Sequence, residues 1–220
     1  MPLSMFELST QACNGRHFEA YINQETLYRR VLEMLHQIRD KLNILDFGCG
    51  PHGVGRMLLR SLKKKDDKLY LFDPHATIEP PRDPNEFIAT KQDVYGDARI
   101  PFDIVNLSYV LCCMEPIDAI YALKNLKASH SNAMLTVVDY TLRNRSEIEV
   151  LQLLTSHEEM KWRKRMGDEA FAHTRRQFTP ESLEHLIRMA GYSLLECAIP
   201  LDKAGIRAAI VALPCSGQAA

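Results

Sequence analysis

The chain has 220 residues, and its 27 basic and 28 acidic side chains leave a formal net charge of −1. This length suits one sizeable α/β domain, and we expect a single domain over residues 1–220. The balanced charge argues against a nucleic-acid-binding protein held by overall basicity, and no apolar run approaches the roughly 20 residues of a membrane span.

Helix and strand patterns alternate along the chain. In chain order they predict helix 17–40, strand 43–47, helix 54–65, strands 69–73, 86–91 and 102–108, helix 116–128, strand 133–139, helices 146–168 and 179–190, and strands 192–199 and 206–213. Such alternation predicts a doubly wound, Rossmann-like α/β fold with a mainly parallel seven-stranded sheet. Only Pro200–Gly205 separates the last two strands, which is too short for a parallel crossover, so we expect a C-terminal antiparallel hairpin.

Two segments exceed this minimal fold. One is the N-terminal helix 17–40, and the other is a largely helical insertion over residues 140–178. Ligands of open α/β sheets bind outside the carboxyl ends of the strands. Because the insertion follows the fifth predicted strand at that edge, we expect it to act as a lid.

The first predicted strand runs into a glycine turn, with Gly48, Gly50 and Gly53 before the helix that starts near Val54. Strand, glycine turn and helix together present backbone N–H groups to a nucleotide-like ligand. The spacing fits the dinucleotide signature G-x-G-x-x-G, which is weak evidence alone. Asp46, two residues before the first glycine, would repel a pyrophosphate and attract a cation such as the α-amino group of S-adenosylmethionine (SAM).

Two further carboxylates follow predicted strands. Asp73 ends the second strand and suits the two hydroxyls of a ribose, although an Asp before Pro74 is also an ordinary turn residue. Asp93 follows the third strand and could accept a hydrogen bond from an adenine amino group. A capping or turn role is its alternative, and Asp97 competes for the adenine.

At this point the chain resembles the class I SAM-dependent methyltransferases, especially the small-molecule type. The matching motifs are Leu45–Pro51, Leu71–Asp73, Gln92–Val94, Phe102–Leu111, Ala133–Asp139 and Phe178–Tyr192. The resemblance covers roughly residues 17–213. Each later motif is loose, but the order and spacing of the motifs are fairly specific.

The resemblance implies SAM as cofactor and assigns its contacts. The methionine part would lie against Asp46 and the glycine turn, the ribose against Asp73, and the adenine beside Asp93 and Val94. Tyr21 resembles an aromatic residue that closes over the cofactor, with a core tyrosine as the alternative. The predicted cofactor set is Tyr21, Asp46, Gly48, Cys49, Gly50, Asp73, Pro74, Asp93, Val94, Asn106, Leu107 and Ser108, and no metal site is predicted.

Two positions depart from the family pattern. His52 stands where the family often has a small residue, and it would either face solvent or point towards a substrate. Leu111-Cys112-Cys113 replaces a common Leu-His-His, so any role of that histidine pair is in doubt.

Methyl transfer from a sulfonium is an in-line displacement, so the protein mainly aligns the reactants, and a base is needed only if the acceptor must lose a proton. We select His157, Arg175 and Tyr109 as catalytic candidates, each with a structural alternative. Tyr109 ends Asn106-Leu-Ser-Tyr109, where amino-methyltransferases acting on DNA bases or glutamine have Asn-Pro-Pro-Tyr. The missing prolines disfavour that chemistry.

The predicted function is transfer of a methyl group from SAM to a small molecule, with an O, N, S or C acceptor unresolved. Alternatives are an RNA or protein methyltransferase, for which the basic run 161–165 would have to border the pocket, an NAD-dependent oxidoreductase and a non-catalytic cofactor-binding subunit. Asp46 and the lack of Tyr-x-x-x-Lys argue against the oxidoreductase. Neither nucleic acid nor membrane is an expected partner, and the oligomeric state stays open.

The chain has six cysteines without a C-x-x-C pair, which indicates reduced, mostly buried thiols. The first residues also lack the basic start and apolar run of a secretory signal. We therefore expect a cytoplasmic protein.

Overall fold

A computed structural model describes residues 16–51, 53–96, 99–141, 178–202 and 207–215. In these ranges seven strands form one sheet in the order β3-β2-β1-β4-β5-β7-β6. The strands are β1 (Asn43–Phe47), β2 (Lys68–Phe72), β3 (Glu86–Ile88), β4 (Ile104–Ser108), β5 (Met134–Tyr140), β6 (Tyr192–Pro200) and β7 (Arg207–Pro214). Strands β1 to β5 pair in parallel, and β7 is antiparallel to both β5 and β6. The predicted Rossmann-like sheet and its C-terminal hairpin are confirmed.

The described residues form five α-helices. They are α1 (Arg16–His36), α2 (Val54–Leu62), α3 (Lys91–Tyr95), α4 (Pro116–Ser129) and α5 (Pro180–Met189), with a 3₁₀ turn at Leu111–Cys113. None of these helices is long and apolar enough to cross a membrane. The predicted helix 146–168 and most of the predicted lid 140–178 lie outside the described residues.

Some predicted boundaries are wrong. The predicted strand 86–91 ends at Ile88, and α3 begins at Lys91. The cause is a capping box, in which the Thr90 side chain accepts from the Asp93 backbone N–H and the Asp93 carboxylate accepts from the Thr90 N–H. The predicted helices 17–40 and 54–65 end at His36 and Leu62.

Both faces of the sheet are covered, which explains the near-continuous apolar runs of its parallel strands. Leu45 of β1 belongs to a buried cluster with Leu123 of α4 and Leu186 of α5. Its neighbour Ile44 points to the opposite face and belongs to a second cluster with Tyr28 of α1. The alternation of side chains along β1 therefore divides the core into two layers.

The short edge strand β3 is attached to α2 by a buried ion cluster. Glu86 accepts from Arg56 Nε at 2.9 Å, from Arg60 Nη2 at 2.7 Å and from the Arg82 backbone N–H at 3.0 Å. Burial alone would raise the pKa of Glu86, but the hydrogen bonds from Arg56, Arg82 and Arg60 outweigh it and lower the pKa to about 2. The carboxylate thus stays ionised inside the protein.

Candidate functional site

The glycine turn after β1 needs glycine for two different reasons. Gly48 and Gly50 have φ values of +69° and +59°, a region that side chains disfavour. A Cβ on Gly48 would also lie 2.7 Å from a methyl group of Val110, whereas a Cβ built on Gly50 has no described atom within 4 Å apart from those of Gly50 itself and its two chain neighbours. The turn is therefore packed behind Gly48 and open at Gly50.

Asp73 connects this turn to the loop after β2. Its Oδ2 accepts from the Gly50 N–H at 2.9 Å, and its Oδ1 accepts from the N–H groups of His75 at 2.8 Å and Ala76 at 2.9 Å. A carboxylate offers about four acceptor positions, so these three bonds leave room for a hydroxyl donor. Asp73 therefore has the turn role that the sequence allowed, and its ribose contact stays a prediction.

Asp46 lies at the carboxyl end of β1 and is 1% exposed. Its Oδ1 accepts from Asn106 Nδ2 at 2.6 Å. Its Oδ2 is buried and has no hydrogen-bond partner among the described residues. Burial raises the pKa of Asp46 to about 7, against the opposing effects of the Asn106 hydrogen bond and the Arg56 charge. A buried acceptor oxygen without a hydrogen-bond partner suits a cationic donor.

The register of three adjacent strands brings Asp46 into a polar row. Asp46 of β1 is opposite Asn106 of β4, and Asn106 is opposite Thr136 of β5. The Thr136 hydroxyl donates to Asn106 Oδ1 at 2.8 Å. Gly55 of α2 covers the row, because a Cβ there would lie 2.7–2.9 Å from Asn106 Nδ2, Asp46 Oδ1 and Ser108 Oγ. Neither Thr136 nor Gly55 was predicted from the sequence.

Helix α1 contributes two further buried polar side chains. Gln24 is 0% exposed, and its Nε2 donates to the Tyr28 hydroxyl at 2.9 Å and to Ser108 Oγ at 3.1 Å. The Tyr28 and Ser108 hydroxyls are 2.6 Å apart. Sequence analysis missed both helix residues, although Gln24 is a polar residue on the apolar face formed with Ala20 and Leu27. The predicted Tyr21 is half-buried on the same helix, and its cofactor contact stays a prediction.

Most of the residues predicted to contact the methionine part lie in the polar row or the glycine turn, and several of them are buried. Asn106 and Leu107 are 0% exposed, and Cys49 is 4% exposed. Ser108, Gly48 and Gly50 are half-buried. The structure thus brings Asp46, Asn106 and Ser108 together, while Leu107 and Cys49 pack in the core.

A cleft of about 810 Å³ adjoins the turn on the side expected for the adenosine. It is lined by Phe47, Pro74, His75, Lys91, Tyr95, Cys113, Met114 and other residues of the loop after β4 and of α4. Val94 does not line it, since its side chain is fully buried. Asp93 Oδ2 accepts from the N–H and hydroxyl of Thr90, both at 2.7 Å, and these bonds lower the pKa of Asp93. Asp93 therefore takes part in the capping box of α3, and its adenine contact stays a prediction.

Two tyrosines in ring contact lie at the carboxyl ends of β4 and β5. Tyr109 has φ +60°, which is strained for an aromatic residue, and its ring centroid lies 4.9 Å from that of Tyr140. The guanidinium of Arg207 lies 5.3 Å from the Tyr140 centroid. Burial raises the pKa of Tyr109 well above its usual value, so the hydroxyl is a donor and not a base. Its described partner is Gln24 Oε1 at 3.5 Å.

Several predicted residues cannot be placed. His52, Asp97, His157, Arg175 and the basic run 161–165 lie outside the described residues. Cys112 and Cys113 are described, with their sulfur atoms 3.9 Å apart. The prediction of mostly buried thiols is wrong for the described cysteines, because Cys49 and Cys112 are buried whereas Cys113, Cys197 and Cys215 are exposed.

Comparisons with solved structures find the same fold in methyltransferases. CalO1, a methyltransferase in calicheamicin biosynthesis in its SAH-bound form, has 16% identity and a TM-score of 0.55, with 87% of this chain and 55% of CalO1 covered. Human N-acetylserotonin methyltransferase in complex with SAM has 16% identity and a TM-score of 0.52, with 78% and 47% covered. The N,N-8-amino-8-demethyl-D-riboflavin dimethyltransferase RosA of Streptomyces davawensis has 16% identity and a TM-score of 0.56, with 79% and 50% covered.

At these identities the likeness shows the fold alone, and the chain spans about half the length of these proteins. No curated protein matches the sequence. A family model described as a methyltransferase domain matches residues 18–197. This match covers most of the chain, so the chain belongs to the methyltransferase domain family.

Proposed function

We propose that this protein transfers a methyl group from SAM to a small-molecule acceptor, at an oxygen, nitrogen, sulfur or carbon atom. The observation that carries the proposal is the buried Oδ2 of Asp46, which has no hydrogen-bond partner among the described residues. An ammonium group would supply the missing donor and a compensating charge. The pyrophosphate of a dinucleotide would supply neither.

The surrounding residues fit the rest of such a cofactor. The open side of Gly50 leaves room for a ligand beside the turn, and Asp73 retains acceptor capacity for a ribose hydroxyl. The cleft of about 810 Å³ along Pro74 and Tyr95 has the volume for a planar base. SAM would supply a methyl group already activated on a positively charged sulfur.

The described residues would mainly hold and orient the reactants. Asp46 neutralises a bound ammonium, and the glycine turn fixes the distance between that carboxylate and the cleft. Tyr109 keeps its proton because of burial, so it would orient an acceptor by donating a hydrogen bond in place of its 3.5 Å contact with Gln24 Oε1. Alignment of this kind supplies much of the rate enhancement when the electrophile is already activated.

A small molecule is the acceptor class that the observations favour. The net charge of −1 offers no broad attraction for nucleic acid. CalO1, a methyltransferase in calicheamicin biosynthesis, and human N-acetylserotonin methyltransferase share this fold. Three exposed free cysteines among the described residues favour a reducing compartment, and we include a cytoplasmic location in the proposal.

Thermal denaturation with added S-adenosylhomocysteine (SAH) or NAD tests the cofactor. SAH at a hundredfold excess over its Kd should raise the melting temperature, since binding stabilises the folded state by about 2.7 kcal/mol. Asp73→Ala should remove most of this rise, and Asp66→Ala, at an exposed position outside the site, should keep it. Stabilisation by NAD and not by SAH would refute the proposal.

A second assay identifies the acceptor. The protein is incubated with methyl-labelled SAM and fractionated small-molecule extracts, and label in a new product is followed by mass spectrometry. Label that enters only RNA or protein would exclude a small-molecule acceptor.

A further inference from the structure

Thr136 is the one polar residue within Met134–Val138, a fully buried stretch of β5. Valine has nearly the same shape and suits a strand at least as well. A hydroxyl in an apolar strand therefore needs a partner, and the Thr136 hydroxyl has one in Asn106 Oδ1 at 2.8 Å. This bond crosses from β5 to β4 within the polar row.

The bond determines which way the Asn106 amide faces. With Oδ1 held by Thr136, the Nδ2 group points to the other side, where it donates to Asp46 Oδ1 at 2.6 Å and approaches Ser108 Oγ at 3.3 Å. A reversed amide would place two acceptor oxygens, those of Asn106 and Asp46, against each other. Thr136 of β5 therefore sets the orientation of the Asn106 amide, and that orientation decides which group of Asn106 faces Asp46 of β1.

We propose that Thr136 is a positioning residue for the cofactor: its hydroxyl fixes the Asn106 amide so that this amide holds Asp46 as a carboxylate ready for the cofactor ammonium. This inference rests on the proposed function, because it assigns a role within the same site. Thr136 itself is 1% exposed and need not touch the cofactor.

Other groups also act on Asp46 and must stay constant in the test. The positive charge of Arg56 in α2 lowers the pKa of Asp46, and Glu86 in β3 raises it. Tyr28 of α1 and Cys49 of the turn also face Asp46, and the pKa of each is raised first by burial, so both stay neutral. A change at Thr136 alters none of these charges.

The SAH affinity should change with pH in a definite direction. The pKa of Asp46 in the free protein is about 7, and an ammonium binds the ionised form. SAH affinity should therefore be constant well above pH 7 and fall up to tenfold per pH unit below it. Without the Thr136 hydroxyl the Asn106 amide is less well held, the carboxylate is less stabilised, and the midpoint of this fall should move to higher pH.

The test is isothermal titration of SAH from pH 5.5 to 8.5 into the wild type, Thr136→Val and Thr136→Ser. Thr136→Val should raise the midpoint by at least half a pH unit, with a several-fold loss of affinity at pH 6.5 and a smaller loss at pH 8.5. Thr136→Ser keeps the hydroxyl and should restore the wild-type midpoint. Thr26→Val, which removes a hydroxyl that bonds only Ile22 O in the described structure, is the matched control.

A purely structural role predicts a different result. Ile187→Val, a buried change in α5, provides a variant of lowered stability with an unchanged binding midpoint. If Thr136→Val likewise lowers only the melting temperature and keeps the midpoint, the proposal is wrong. If Thr136→Val does not fold, Thr136→Ala, which also removes the donor to Asn106 Oδ1, replaces it, and an unchanged midpoint there overturns the proposal equally. Absence of SAH binding to the wild type at every pH would instead refute the proposed function.

Discussion

Gly48 and Gly50 are two residues apart in one turn, yet the structure gives them different surroundings. Both have positive φ, so a side chain at either position strains the backbone by roughly 1 kcal/mol. Only at Gly48 would the new Cβ also meet Val110, at 2.7 Å. A substitution at Gly48 should therefore mainly lower the stability, whereas a substitution at Gly50 should mainly weaken ligand binding.

We expect Gly48→Ala to lower the free energy of unfolding by more than 2 kcal/mol, because strain and a clash in a packed core add. Gly50→Ala should cost only about 1 kcal/mol from strain, but its methyl group enters the open side of the turn and should weaken SAH binding at least tenfold. Urea denaturation and SAH titration of the two variants measure this. Equal SAH affinity of Gly50→Ala and the wild type would place the ligand elsewhere.

Sequence alone indicated the residues that begin this site, but not those that support it. Asp46 and Asp73 were recognisable because each ends an apolar strand beside or after the glycine turn. Asn106 was selected from the motif, but its bond to Asp46 depends on the pairing of β1 with β4, which no local pattern encodes. Thr136 could not be identified from the sequence either, because its bond to Asn106 depends on the pairing of β4 with β5. Gln24 could have been found, since a polar residue on the apolar face of a helix indicates a buried partner.

Among the elements, the edge strand β3 depends most on a single side chain. Glu86 binds Arg56 and Arg60 of α2 and the backbone of Arg82 before β3, so one carboxylate joins a helix, a loop and a strand. Loss of one partner from a buried ion cluster leaves uncompensated charge inside the protein.

Glu86→Gln should therefore lower the free energy of unfolding by about 3 kcal/mol. The matched control is Glu79→Gln, which removes the partner of the exposed Arg82 guanidinium at 2.9 Å and should cost less than about 1 kcal/mol. Urea denaturation at pH 7 compares the two variants. A Glu86→Gln cost as small as that of the control would mean that Arg56 and Arg60 find other partners.

The order of elements was predictable because β1, β4 and β5 are buried and largely apolar, and α2 and α5 are amphipathic. The error at 86–91 arose because Phe87, Ile88 and Ala89 look like a continuing strand. Thr90-x-x-Asp93 is a capping-box pattern and could have marked the start of α3. The hairpin was predictable from the short connection, but the insertion of β7 between β5 and β6 was not, since either strand of a hairpin can pair with an edge.

The pH dependence of the stability of the whole molecule should reflect the ionisation of two buried carboxylates. Burial raises the pKa of Asp46 to about 7 and that of Asp139 to about 6. The folded protein therefore binds protons that the unfolded chain has already released. Their contribution to stability is fully present below a pH of about 3.8 and is lost as the pH rises through 6 and 7. His130 acts in the opposite direction, because burial lowers its pKa.

Asp46→Asn isolates one of these contributions. We expect its free energy of unfolding to rise relative to the wild type by roughly 3 kcal/mol between pH 5 and pH 8, because the wild type must then bury a charge that the variant lacks. The same variant should lose SAH binding. Urea denaturation at several pH values gives the comparison, and parallel pH profiles would show that Asp46 titrates normally.

The position of β7 has a consequence for how the protein is made. This strand is the last described one in the chain, yet it lies inside the sheet, and β6 pairs only with it among the described strands. On the ribosome, β5 would emerge with an unpaired edge, and β6 would follow without a strand to join. Because unpaired edges attract other strands, the nascent chain would be most prone to aggregate in the interval before Pro214 leaves the exit tunnel.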